Sequence, residues 1–359
     1  MYARRRLLVL PATLALAAGI VAVTSSLAGG RSGPEPFTAV TQMPPQVIHN
    51  GAARLAVHLS GKPAKDTVRP KIHPAVAGSW SDVGDAEVFT PAASLVPCGT
   101  YTFVVPPTTA AAGMQPVPSG IGEVMKLACP PARSLQRALA RLGYLPYHLH
   151  GASPQPPPGP EPAQFAATQV FDPPSGRLVP DLQGVPQIAA DHQSLDETTI
   201  GALMAFQDDH HLNVDGSPGA KTWGVLMNAL VAGLNTHKPY TWVTVTESSP
   251  ETLEVHRGRH ILISTETNTG VPGADTPQGD FPIFARTVSA TMSGTDPNGS
   301  SYQVTGVPFV NYFNGGDAIH GYNRSTYGTP QSNGCVEIPI STSQEVYAKL
   351  RIGDVVEIT

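Results

Sequence analysis

From Thr241 to the end of the chain, apolar residues recur at every second position. Trp242-Val243-Thr244-Val245-Thr246, Leu253-Glu254-Val255, His260-Ile261-Leu262-Ile263-Ser264 and Asp354-Val355-Val356-Glu357-Ile358 read as strands, with a turn at Arg257-Gly258. The pattern predicts an all-β domain whose last strand closes its sheet or barrel. Upstream, between Ser134 and Leu145, the apolar period lengthens to about 3.6, and Gly143 stands where a helix would end. Helical patterning returns at Asp196 to Gln207 and again at Ala220 to Leu230, with the loop Asn213 to Gly219 between. The proline-rich run Pro154 to Pro160 cannot continue a helix, so about 146–190 reads as an insertion. Before all of this, Ala53 to Leu59, Ala86 to Phe89 and Thr100 to Val105 alternate between Pro/Gly/Ser clusters and predict a small β-sandwich.

At 359 residues the chain has room for several modules, each with its own core. Its 37 prolines and 35 glycines, with 14% charged residues, favour turns and short strands over long helices. A net charge of -5, with no interleaving of Lys/Arg and aromatics, excludes a nucleic-acid partner. Arg4-Arg5-Arg6 precedes an apolar run from Leu7 to Val23 and small residues to Ala28, the arrangement of a secretory signal, with an uncleaved membrane anchor as the alternative. No cysteine ends that run, which argues against a lipidated N-terminus. The bulk of the protein is expected outside the cytoplasm, touching membrane only through this segment.

Three cysteines in an exported protein read most economically as one disulfide, Cys98 to Cys129, and one free thiol, Cys335. The bridge would close a loop of about thirty residues and contribute about 3 to 4 kcal/mol. Cys335 lies in Ser332-Asn333-Gly334-Cys335-Val336-Glu337, some fifteen residues after His320-Gly321. A thiol with an imidazole and a glycine turn nearby has the makings of a nucleophile: His320 as base, the Gly321 carbonyl orienting its other ring nitrogen, and the Gly334 and Cys335 N–H groups facing a developing oxyanion. Ser332 and Asn333 are candidates for hydrogen bonding within the site and to substrate. A papain-like peptidase is disfavoured, because there the cysteine precedes its histidine. The pairs His148/His150 and His210/His211 lack zinc-like spacing with a carboxylate, so neither a metal nor a cofactor is expected.

Two stretches carry resemblances. Leu135-Gln136, Ala205-Phe206-Gln207, Val214-Asp215-Gly216 and Lys221-Thr222-Trp223 together resemble the peptidoglycan-binding three-helix module. Thr265 to Arg286, Val307 to Gly316, Ala318-Ile319-His320-Gly321 and Ser332-Asn333-Gly334-Cys335-Val336 resemble the L,D-transpeptidase catalytic domain. That resemblance implies a β-rich fold in which cysteine attacks the carbonyl between a diamino acid and terminal D-alanine of a peptidoglycan stem peptide. D-Alanine leaves, and the acyl group passes to an amine of a neighbouring stem, giving a 3→3 cross-link. It implies Cys335 as nucleophile, His320 as base and Gly321 as its orienter, with carbapenem-type β-lactams as candidate inhibitors. The family usually has His at the place of Asn333 and Arg or Asn at that of Glu337. The first departure bears on site geometry, and the second alters carboxylate recognition or faces solvent.

The expected organisation is a signal or anchor at 1–28, a linker at 29–45, a β-sandwich-like domain at 46–130, a helical module at 131–235 and an all-β L,D-transpeptidase-like domain at 238–359. Two other readings stay open: a catalytically weak wall-binding or scaffolding protein, and an L,D-carboxypeptidase in which water replaces the acceptor amine.

Overall fold

The computed structural model describes residues 39–41, 55–59, 69, 71–83, 86–92, 95–105, 121–151, 176–181, 184–188 and 195–359. The expected signal or anchor at 1–28 lies outside them. Among the described residues no helix is long and apolar enough to cross a membrane. The chain divides into two units, one made of 1–47, 54–91 and 101–125, the other of 48–53, 92–100 and 126–359.

The first unit holds strands β1 (Ala39–Thr41), β2 (Leu55–Leu59), β3 (Lys71–His73), β4 (Gly78–Val83), β5 (Ala86–Pro91), β6 (Thr100–Val105) and β7 (Ile121–Lys126). They form a four-stranded sheet in the order β1-β2-β5-β4 and a three-stranded one in the order β3-β6-β7. Residues 39–41, read from sequence as part of a linker, pair with β2. Trp80 and Phe89 pack as a tilted pair with ring centroids 5.1 Å apart, and Phe89 is buried.

The second unit opens with the Cys98–Cys129 bridge, S–S 2.06 Å, and helix α1 (Ala132–Arg141). After α1 the chain turns at Gly143, whose φ of +80° suits a residue without Cβ. The ends of the proline-rich insertion pair as β8 (Tyr147–His150) and β9 (Arg177–Pro180), and Tyr147 and Leu178 enter the helical core. Helix α2 (Glu197–Asp209) starts at Asp196, whose carboxylate accepts the Thr199 N–H at 2.7 Å; α3 (Ala220–Ala232) follows. Leu135, Leu139, Leu203, Phe206, Trp223 and Leu226 close a core between the three helices. The α2–α3 loop hangs on Gln207: its Oε1 accepts the N–H groups of Asp215 (3.2 Å) and Gly216 (2.9 Å), and its Nε2 donates to Asp215 Oδ1 (2.9 Å) and the Ser217 carbonyl (3.2 Å).

The alternating strands then appear: β10 (Thr241–Thr246), β11 (Thr252–Arg257), β12 (His260–Glu266), β13 (Gly279–Pro282), β14 (Ala285–Thr295), β15 (Ser301–Asn314), β16 (Asp317–Gly321), β17 (Val336–Ile338) and, after helix α4 (Ile340–Lys349), β18 (Val355–Ile358). One sheet runs β12-β11-β10-β18-β13 and the other β14-β15-β16-β17. The last strand, β18, lies between β10, to which it is parallel, and β13. The inward positions Val243, Val245, Leu253, Val255, Ile319, Val336, Ile338 and Val356, with Val346 of α4, form one buried core. Helix α2 rests on this domain through a close backbone approach, since a Cβ built on Gly201 would lie 2.4 Å from the Gly353 carbonyl oxygen. Beside it, Arg351 Nη1 is 3.7 Å from Asp209 Oδ2 and its Nε 3.6 Å from Asp354 Oδ1.

Candidate active site

Parallel pairing of β16 with β17 sets Ile319 against Val336 and His320 against Glu337. Side chains alternate across a strand, so Ile319, Val336 and Ile338 fill the core while His320, Glu337 and the preceding Cys335 share the opposite face. There His320, Cys335, Glu337, Ser332, Asn333 and Arg324 line one cleft of about 270 Å³, walled by Met292, Asp296 and Tyr302 from the β14–β15 hairpin.

Cys335 sits on a loop held by threonines from the segment before β13. The Gln331 and Ser332 N–H groups both donate to the Thr269 carbonyl at 2.9 Å. Thr276 Oγ1 accepts the Gly270 N–H and donates to the Gly334 carbonyl, both at 2.9 Å. Thr269 itself is fixed by the buried Glu251, which accepts its N–H at 2.7 Å and its hydroxyl at 2.9 Å. Thr267 Oγ1 donates to the Glu337 carbonyl at 2.8 Å. Gly334 has φ +105°, and a Cβ there would lie 2.5 Å from Asp317 Oδ1, so the turn before the cysteine requires glycine twice over. Ser332, at the cleft wall, donates its hydroxyl to the Cys335 carbonyl at 2.5 Å and closes the turn.

His320 is buried, and its Nδ1 lies 3.1 Å from the Gly321 carbonyl oxygen. A carbonyl can only accept, so Nδ1 carries the proton and Nε2 keeps its lone pair. Burial holds the imidazole pKa below its ordinary value, against the opposing pull of the Gly321 carbonyl and Glu337, while Arg324 adds to the lowering. Cys335 is partly exposed, yet burial around the thiol pushes it up to about 12; the Ala318 backbone opposes this, and the Asp317 and Glu337 carboxylates add to it. The resting pair is therefore a neutral thiol and a neutral imidazole.

Glu337 does not face solvent. It is buried, and Arg324 grips both its oxygens, Nε to Oε2 at 2.7 Å and Nη2 to Oε1 at 2.9 Å, while Nη2 also reaches the Gln331 carbonyl at 2.8 Å. Asn333 Nδ2 donates to Asp296 Oδ1 at 2.6 Å, tying the cysteine loop to the hairpin tip. Of the residues singled out from sequence, His320, Gly321, Ser332, Asn333, Gly334 and Cys335 are gathered here, whereas Cys98 and Cys129 form a bridge elsewhere. Arg324, Asp296, Tyr302 and Thr276 were not foreseen. A formally uncompensated Glu337 beside a reactive thiol was the one sequence signal that an arginine had to be near. Among the described residues no group of three or more His, Cys, Asp or Glu could hold a metal ion.

Comparison with known proteins adds the family. Residues 240–358 match the YkuD family model, the L,D-transpeptidase catalytic domain. No curated protein matches the chain. Among solved structures, the catalytic domain of an Enterococcus faecium L,D-transpeptidase is 23% identical, covering 34% of this chain and 100% of that one, with a TM-score of 0.31. The L,D-transpeptidase LdtMt1 in complex with imipenem is 11% identical over 86% of this chain and 92% of that one, TM-score 0.32. An L,D-transpeptidase from Mycobacterium smegmatis is 11% identical over 90% and 100%, TM-score 0.30. The β-rich domain with its cysteine cleft, residues 240–358 of this chain, is a YkuD L,D-transpeptidase catalytic domain.

Proposed function

We propose that the protein is an exported cell-wall L,D-transpeptidase that makes 3→3 cross-links through a cysteine acyl-enzyme. The observation carrying this reading is the shared cleft of Cys335 and His320, with Nδ1 committed to Gly321 and Nε2 left as acceptor, inside the stretch that matches the family. Because the thiol is neutral at rest, His320 takes its proton as Sγ attacks the carbonyl between the diamino acid and D-alanine of the donor stem. Charge developing on the carbonyl oxygen is met by the Gly334 and Cys335 N–H groups. Breakdown of this intermediate breaks the C–N bond, and the imidazolium returns the proton to the leaving amine. The thioester is then attacked by an amine of a second stem, whose proton passes through His320 to the departing thiolate. A β-lactam would acylate the same sulfur by opening its ring, as a carbonyl electrophile of the same class. The helical module would hold the enzyme to its polymer substrate, and the N-terminal segment would export or anchor it.

The test is mass spectrometry of the 29–359 chain incubated with a disaccharide-tetrapeptide, wild type against Cys335→Ala. A Cys335-dependent dimer with loss of D-alanine is the expected product. Monomeric tripeptide would make it a carboxypeptidase. No product or adduct, with an active control enzyme turning over the same substrate, would sink the enzymatic reading in favour of a wall-binding scaffold.

A further inference from the structure

The charges of the cleft do not cancel. Arg324 is spent on Glu337, both of whose oxygens it holds, and His320 is neutral at its Nε2. Asp296 remains. Its carboxylate lines the cleft from the tip of the β14–β15 hairpin, where backbone bonds from Asp296 N–H to the Ser300 carbonyl and from Gly299 N–H to the Asp296 carbonyl, both 2.8 Å, fix the turn. Its side-chain partner is the neutral amide of Asn333, 2.6 Å away, two residues before the nucleophile, and among the described residues no Lys, Arg or His is paired with it. Tyr302 is the other polar hairpin residue of the cleft. A half-buried carboxylate fixed by a neutral donor in the same cleft as the Cys335 sulfur keeps its charge directed at whatever enters.

We propose that Asp296 makes the cleft cation-selective and reads the free side-chain ammonium of the diamino acid whose carbonyl Cys335 attacks. The proposal rests on the transpeptidase reading above. The reacting carbonyl and the ammonium belong to the same residue of the donor, so placing one at Cys335 leaves the other within the same small cleft. Asn333 is then a positioning residue. Its amide holds the Asp296 carboxylate to the cysteine loop without neutralising it, whereas a protonated histidine in its place would cancel the charge.

The test uses Asp296→Asn, in which the amide oxygen still accepts from Asn333, so charge is removed with the turn retained. Two measurements are made on the 29–359 chain at low salt, with melting curves as the check on folding. In the first, the sole free thiol is modified with a cationic trimethylammonium and an anionic sulfonate methanethiosulfonate reagent. Wild type should favour the cationic reagent by about tenfold, and Asp296→Asn should reduce that ratio about threefold or more. In the second, D-alanine release is followed, at a fixed excess of a separate acceptor amine common to both assays, with a tetrapeptide donor whose side-chain amine is free or acetylated. Wild type should prefer the free amine about fivefold to tenfold in kcat/KM, mainly through KM, and the substitution should erase the preference. An unchanged reagent ratio, or an unchanged preference for the free amine, overturns the proposal. If wild type releases D-alanine from neither donor, the transpeptidase reading fails, and the reagent ratio alone decides whether Asp296 makes the cleft cation-selective.

Discussion

The loop between α2 and α3 and the loop that carries Cys335 are built by the same device and differ in what is left over. In the first, Gln207 uses both ends of its amide on Asp215, Gly216 and Ser217, and every polar group it brings inside is satisfied within the module. In the second, Thr267, Thr269 and Thr276 hold the backbone of 331–337 just as firmly, but the side chain they present is a thiol with weak backbone contacts, among them Sγ to the Gly316 carbonyl at 3.9 Å. Rigid scaffolding thus serves stability in one loop and presents a weakly held thiol to a cleft in the other. The surroundings of that thiol do not ionise it. Desolvation and two carboxylates oppose the thiolate, so activation has to come from the neighbouring base at the moment of attack.

The largest effect to look for is a slow thiol. With Cys335 pushed up to about 12, against about 8.5 for a free cysteine, its thiolate fraction at pH 8 is lower by about three orders of magnitude. Iodoacetamide should accordingly modify it far more slowly than glutathione, at a rate still climbing above pH 9; alkylation at or above the glutathione rate would break the contrast drawn above. Next comes Thr276→Val, which strands the Gly270 N–H and frees the Gly334 carbonyl. It should lower kcat for acyl transfer about tenfold or more, with a smaller change in KM, because the turn that aims the thiol loosens. Smaller is the shift in pH dependence. A base is active when neutral, and burial lowers the pKa of His320, so the acid limb of kcat/KM should fall below the ordinary imidazole value of about 6.5. In Arg324→Gln the limb should move upward, since Glu337 raises that pKa and Arg324 lowers it. An acid limb above about 6.5 in wild type would contradict the burial argument. Smallest at the cleft is Gln207→Leu: it should cost about 2 kcal/mol or more in thermal unfolding by orphaning the Asp215 and Gly216 N–H groups, yet leave Cys335 alkylation unchanged.

Much of this was readable beforehand, for identifiable reasons. The strands from Thr241 onward announce themselves because burial on one face imposes a period of two, and α2 because Asp196 caps it with a residue whose chemistry suits no other place so well. Cys335 stands out as the cysteine left over from the Cys98–Cys129 pair, and His320, one of twelve histidines, because of its Ala318-Ile319-His320-Gly321 context. Helix α4 escaped notice: Ile340-Ser341-Thr342-Ser343-Gln344 is poor in helix formers, only Ser343 and Val346 are buried, and packing rather than propensity makes it helical. The fate of Glu337 could not be read either, because its partner lies thirteen positions away and is chosen by the fold. Likewise Asn333 read only as a departure bearing on site geometry, and it is the return of the β14–β15 hairpin that shows the carboxylate it holds.

The contact of Gly201 with Gly353 has a mechanical consequence. Where α2 meets the strand domain, the two backbones come together at these glycines with the short side chains of Ala205 and Pro282 beside them and the Arg351–Asp209 pair at the flank, so they seat against each other like a key in its ward. A single methyl at either position would act as a wedge: a Cβ at 353 would come within 2.1 Å of the Gly201 carbonyl oxygen, and the helices would be prised away from the sheet that holds β18, the neighbour of the sheet whose β17 follows Cys335.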